Sequence, residues 1–186
     1  TGGLAIQNRG TLGGNIVNAS PAADSPPALL AYDAEIELTS AKSSRWISYH
    51  GFHTGYKEMQ MEPNELLTRI RLPRQTSTCL HYYRKVGTRK AQAISKVCLA
   101  ALGRKEDYRI GDIRIAFGSV APIVIRCVST ESQLRGKPFD ASTMKLARES
   151  LIKEIAPIDD IRSTAAYRLR VAANLLVDFL NYLQSF

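Results

Sequence analysis

The segment Gln7-Asn8-Arg9-Gly10-Thr11-Leu12-Gly13-Gly14-Asn15-Ile16-Val17-Asn18-Ala19-Ser20-Pro21, closed by Asp24, decides how the rest of this chain is read. Its double glycine, Gly13-Gly14, sits among hydroxyls and amides from Thr11, Asn15, Asn18 and Ser20. Glycines leave no Cβ in the way and open backbone angles closed to other residues, so another group can approach the main chain closely. Successive amides of such a turn form a concavity for anions. Asp24 adds a carboxylate able to accept from a sugar hydroxyl. The spacing is neither G-x-x-x-x-G-K-[ST] nor G-x-G-x-x-G between a strand and a helix, so it is not a P-loop or a dinucleotide fingerprint. On residue chemistry alone two readings stand: a phosphate-binding turn, and a tight structural turn leading into a capped helix.

Composition bounds what surrounds that segment. With 186 residues, 45% of them apolar, the chain can bury one good core or two small ones. Its apolar runs fall short of the roughly 20 residues of a membrane span. No signal segment follows Thr1, which reads as the start of a processed, cleaved or excised piece. The net charge of +8 is spread from Arg9 to Arg170 without a dense block. With no RNP-like or zinc-finger pattern beside it, a nucleic-acid partner is not expected. Cys79, Cys98 and Cys127 are odd in number and far apart, and His50, His53 and His81 do not pair with them at ligand spacing. Neither a disulfide framework nor a zinc site is expected. Free thiols point to a reducing compartment and hence the cytoplasm.

Hydrophobic periodicity predicts an α+β chain. Residues 1–21 read as a glycine-rich loop, and 24–32 as a short helix with Asp24 or Ser25 as cap and Pro26-Pro27 in its first turn. Alternation marks strands at 35–39, 45–49 and 65–72, the last stopped by Pro73, with 50–61 irregular. After a polar linker at 74–79, residues 80–86, 91–102 and 112–120 read as three strands, with a turn over 104–111. The apolar set Ile94, Val97, Cys98, Leu99 and Leu102 fits a helical face as well as a buried strand. Asp140 can cap a helix through Met144, Ala147, Leu151 and Ile155, stopped at Pro157. Ser163 can cap a second through Ala166, Leu169, Ala173, Leu176, Leu180 and Leu183. Trp46 reads as a core residue. The chain thus divides into a mixed unit at 1–73, a linker at 74–79, and a sheet packed on helices at 80–186.

The run Asn8–Ile16, followed by Asn18-Ala19-Ser20-Pro21 and Asp24, resembles the FAD-binding (medium) subunit of the molybdenum hydroxylases, the family of xanthine dehydrogenase and carbon monoxide dehydrogenase. Leu66-Leu67-Thr68-Arg69-Ile70-Arg71-Leu72-Pro73, and Tyr83-Arg84-Lys85-Val86-Gly87-Thr88-Arg89 leading to Ile94-Ser95-Lys96-Val97, fall where that family places them. The resemblance implies a partial PCMH-type FAD-binding domain, its later half, followed by a three-stranded antiparallel sheet packed against a helical bundle. It implies that the Thr11–Asn15 turn (Thr11, Gly13, Gly14, Asn15) embraces the FAD pyrophosphate. Asn18, Ser20 and Asp24 would lie along the ribityl and ribose part, Leu67 near the isoalloxazine ring, and Lys85 at its polar edge, where a cation suits the charge of reduced flavin. Without the resemblance Lys85 is a solvated strand lysine.

The resemblance further implies an oxidoreductase subunit. Hydroxylation would occur at a molybdenum cofactor on a partner subunit, with electrons passing through 2Fe-2S clusters on another to FAD and on to NAD or another acceptor. The cysteines of this chain do not suffice for such clusters. The Tyr83–Val97 segment is similar to xanthine-dehydrogenase-like members, which points to xanthine or a related purine. The family's FAD domain also has an earlier half with a second glycine-rich loop, for which no segment of this sequence matches. That half would come from a separate chain or a cleaved partner, and without it FAD binding is expected to be poor. The alternative is a non-catalytic assembly or basic binding module lacking flavin. Among weaker candidates, Tyr82 and Tyr83 are flavin contacts or strand aromatics, His50 and His53 a metal pair or packing residues, and Asp159 and Asp160 solvated or capping. No Ser-His-Asp or paired-carboxylate constellation suggests a hydrolase.

Overall fold

The computed structural model describes residues 2–74, 78–90 and 92–186. Part of the expected linker, 75–77, lies outside them, as do Thr1 and Ala91. The chain runs α1 (Leu4–Gln7), α2 (Leu12–Val17), α3 (Pro26–Ala31), β1 (Glu35–Thr39), β2 (Ser44–Ser48), β3 (His53–Gly55), β4 (Glu58–Met59), β5 (Leu66–Arg71), β6 (Leu80–Val86), β7 (Val97–Glu106), β8 (Arg109–Gly118), β9 (Ile125–Arg126), α4 (Val128–Leu134), α5 (Ala141–Glu154) and α6 (Ala165–Gln184). Among the described residues three antiparallel sheets form, in orders β2-β1-β5, β3-β4 and β6-β7-β8-β9. The expected three-stranded sheet is β6–β8, and β9 adds a two-residue edge.

The large sheet explains why its middle strand is ambiguous in sequence. Odd residues of β7, Leu99 and Ala101, join the core under α4, α5 and α6. Even residues, Ala100 and Leu102, join the core formed with α3 and the first sheet. A strand covered on both faces loses its polar alternation and reads as a continuous apolar run. The pairing Cys98↔Gly118 and Leu99↔Phe117 settles 97–106 as strand. The β7–β8 hairpin turns through Asp107 and Tyr108, both left-handed (φ 46° and 62°), as its tight turn requires.

Other expectations need correction. Of the expected loop over 1–21, the described part carries two short helices, α1 and α2. Residues 50–61 form the small β3-β4 ribbon. Thr164, not Ser163, caps α6, accepting from the Tyr167 amide at 3.2 Å, while Ser163 pairs with Asp160. Asp140 caps α5 as expected, accepting from Thr143 N at 2.8 Å. Trp46 is on the edge strand β2 and is 37% exposed. The Arg71 guanidinium covers its ring at 4.5 Å. Ala166 is exposed, and the buried stripe of α6 begins instead at Arg168.

Residues 2–73 are fastened to the large sheet by apolar packing and by an ion-pair network. Asp33, left-handed just beyond α3, bonds Arg126 and, at 2.7 Å, Arg114. Arg126 in turn forks onto Glu131 of α4, with Nε at 2.6 Å and Nη2 at 3.0 Å. Glu131 is 1% exposed and also accepts from the Ile115 amide at 2.7 Å. These contacts hold α3, and the segment that leads into it, against the sheet.

Candidate functional site

The glycine segment is ordered by its own hydroxyl. Thr11 is extended and its Oγ1 accepts from the Gly14 amide at 2.9 Å, capping α2 over Leu12–Val17. Neither Gly13 nor Gly14 is left-handed; the positive φ in this segment falls on Ala19 (48°), buried between Asn18 and Ser20. Gly13 is needed for close packing instead, because a Cβ there would lie 3.2 Å from the Leu67 carbonyl oxygen of β5.

The segment lines a cleft of about 1370 Å³, into which Thr11, Gly14, Asn15, Asn18, Ser20 and Asp24 all face. Its other walls include Tyr83, Arg89, Ile94 and Arg162 from the later part of the chain, and Arg9 lies at its edge. The side chains are held in place by neighbours. Asn15 Oδ1 accepts from Ser25 Oγ at 2.5 Å, and Asn18 Oδ1 accepts from Lys57 Nζ at 3.0 Å. Of the expected contacts, Gly13 and Leu67 meet where α2 packs on β5, off the lining, and Lys85 is off the lining too, bound to Asp24.

Lys85 Nζ is bound to Asp24 Oδ2 at 2.5 Å, and Ser95 Oγ donates to Asp24 Oδ1 at 2.6 Å. The two charged side chains are 21% and 13% exposed. Asp24 and Lys85 are thus brought together as a pair, each oxygen of the carboxylate retaining a free acceptor direction. Tyr83 donates to the Asp24 carbonyl at 3.3 Å, and burial, followed by Cys98 and Asp24, raises its phenol above the usual value. Burial, with the Asp24 charge second, pushes the Cys98 thiol up to about 12, so it stays protonated and inert below the cleft. Tyr82 faces away, donating to Asp178 on α6 at 2.5 Å.

His50 is exposed, whereas His53 is buried and its Nε2–H donates to the Ile16 carbonyl at the end of α2, 3.0 Å away. His53 is therefore a packing residue that steadies the cleft helix. Burial holds its imidazole below the usual value, against the opposing effect of the Ile16 bond. The unfolded chain then binds the extra proton more readily, so this stability is full above about pH 6.5 and is lost as pH falls below it. Thermal melts should show lower midpoints on acidification from pH 7, and His53→Gln, which keeps a donor but not the titration, should flatten that slope. An identical slope in the variant would contradict the assignment.

Arg9, Arg89 and Arg162 border the cleft, whose lining carboxylate, Asp24, is paired with Lys85, as Arg162 is with Asp160 at 3.0 Å. Residues 1–75 match the family described as FAD binding domain in molybdopterin dehydrogenase, and residues 81–183 that described as CO dehydrogenase flavoprotein C-terminal domain. The chain belongs to the family of FAD-binding subunits of the molybdenum hydroxylases, of the xanthine and carbon monoxide dehydrogenase type.

Among its relatives, the xanthine dehydrogenase FAD-binding subunit of Escherichia coli O157:H7 is 33% identical over 172 residues, covering 91% of this chain and 58% of that protein. The carbon monoxide dehydrogenase medium chain of Hydrogenophaga pseudoflava is 30% identical over 176 residues, covering 95% and 61%. A solved carbon monoxide dehydrogenase from the same organism, lacking the Mo-pyranopterin moiety of its cofactor, superposes with a TM-score of 0.91 at 29% identity, over 99% of this chain and 64% of that one. The chain therefore spans about three fifths of the length of these two subunits. No helix among the described residues is long and apolar enough to cross a membrane.

Sequence reasoning missed Arg162, Ser25, Lys57 and Ser119 around the cleft. Ser25 has a local signal only as a helix cap, and Lys57, Ser119 and Arg162 reach the region from distant elements. Ser95 lay inside the quoted Ile94–Val97 segment without being singled out.

Proposed function

We propose that this chain forms one wall of an FAD site and serves as the flavin component of a molybdenum hydroxylase. The observation that supports this most is the convergence of Thr11, Gly14, Asn15, Asn18, Ser20 and Asp24 on one cleft bordered by guanidinium groups. The residues fit the cofactor: glycines without a Cβ let a pyrophosphate approach the main chain, and Asn18, Ser20 and Asp24 offer partners to a polyhydroxylated chain. In this reading Thr11, Gly13, Gly14 and Asn15 shape the pyrophosphate seat, Leu67 braces the ring side of α2, and Lys85 supplies a cation near the ring's polar edge. When bound, FAD supplies the electron transfer between partner redox centres and an acceptor, NAD or another carrier. The chain's own residues bind, orient and tune; none is assigned a proton-transfer step.

On this proposal the chain divides functionally at 74–79, works in the cytoplasm, and assembles with molybdenum-binding and 2Fe-2S subunits. The second jaw of the cleft corresponds to sequence that the relatives carry outside the aligned span, on the same or a separate polypeptide. The likeness to the Escherichia coli subunit favours xanthine or a related purine as overall substrate. Gel filtration of the protein with FAD, with and without a chain bearing that second jaw, tests the reading. Co-eluting flavin absorbance with quenched fluorescence is expected, strongest with both jaws. No retained flavin in any combination, together with strongly salt-dependent nucleic-acid binding, would favour a basic binding module instead.

A further inference from the structure

We propose that Ser95 and Ser119 are positioning residues that fix the Asp24–Lys85 pair at the cleft from the segments flanking β7 and β8. Ser119 is left-handed (φ 66°), an uncommon and strained conformation for a residue with a Cβ. It persists because all three of its polar groups are used. Its amide donates to the Pro21 carbonyl at 2.7 Å, gripping the tail of the glycine segment. Its hydroxyl donates to the Ser95 carbonyl at 3.0 Å, and its carbonyl accepts from Arg168 Nη1 at 3.0 Å.

Ser95 is fully buried and passes this constraint on, its hydroxyl donating to Asp24 Oδ1 at 2.6 Å. Arg168 locks the assembly from α6. It is 4% exposed, bonds the Lys96 carbonyl at 3.2 Å as well as Ser119, and its charge meets Asp160 at 2.6 Å. A single buried guanidinium thus clamps the two peptide segments that carry Ser95 and Ser119. A carboxylate whose two oxygens are set by a buried hydroxyl and an ammonium has little rotational freedom. Preorganisation of that kind lowers the cost of ordering a bound ligand. The cleft's acidic group is in this way placed by the C-terminal unit, although it belongs to the N-terminal segment.

The experiment has two arms, and only the second rests on the flavin reading. In the first, reductive methylation of the full chain is followed by peptide mass spectrometry, comparing Lys85 with exposed Lys42. Ser95→Ala and Ser119→Ala should each raise Lys85 labelling several-fold at unchanged Lys42 labelling. Ser119→Gly should behave as Ser119→Ala, because the lost hydroxyl and not the strained backbone matters. Unchanged Lys85 labelling in all three overturns the inference. In the second arm FAD affinity is read by fluorescence quenching in whichever assembly retains flavin, and the alanine variants should bind about tenfold more weakly. Equal affinities overturn the role toward the cofactor. Increased Lys85 labelling with no FAD binding even by the unaltered protein supports the positioning and defeats the flavin reading.

Discussion

Replacing Gly14 with valine should abolish FAD retention while leaving the large sheet and its helices folded. The Gly14 amide donates to Thr11 Oγ1 at 2.9 Å, and a Cβ on Gly14 would lie 3.1 Å from that same oxygen. A branched side chain must displace the cap or occupy the cleft that Gly14 lines. A loss of about 100-fold in affinity, roughly 2.7 kcal/mol, is expected. The core that the sheet forms with α4–α6 does not include this segment, so circular dichroism of the variant should stay native. Normal FAD retention in Gly14→Val would remove the glycine segment from the binding site.

The largest loss of stability is expected from Glu131→Ala. Glu131 is 1% exposed, receives the fork of Arg126 and satisfies the buried Ile115 amide. Removing it leaves a guanidinium that is itself only 10% exposed with a single remaining carboxylate, Asp33. Breaking a buried pair in this way costs about 3–5 kcal/mol. Urea denaturation should report a loss in that range, and one below about 1 kcal/mol would show that Asp33 and solvent compensate. Because Asp33 and Leu30 are the contacts of Arg126 beyond α4, the variant should also loosen α3 from the sheet.

Much of this fold was legible because its elements carry local signals. The alternation of Glu35–Thr39, the proline pair opening α3 and the cap at Asp140 each follow from neighbouring residues. The ends of β7 were not, since a strand packed on both faces has no polar side to betray its period. Likewise the glycines suggested a left-handed turn, yet a threonine hydroxyl captured the Gly14 amide and made a helix, leaving the positive φ to Ala19. Of the expected site residues, Thr11, Gly14, Asn15, Asn18, Ser20 and Asp24 share one cleft, while Gly13 packs against Leu67 instead. Ser119 and Arg162 were not found, because nothing nearby in sequence distinguishes them from ordinary surface or turn residues. The Asp24–Lys85 pairing joins residues far apart in sequence and became visible only once β6 was laid against the start of α3.

Phosphorus-31 NMR of FAD titrated with the flavin-retaining assembly addresses the pyrophosphate seat directly. The two pyrophosphate resonances should shift and broaden saturably with the wild-type chain and return to their free positions when it carries Gly14→Val. Resonances that stay at their free positions with the wild-type chain, or that shift equally with the variant, would contradict binding of the pyrophosphate at the Thr11–Asn15 segment.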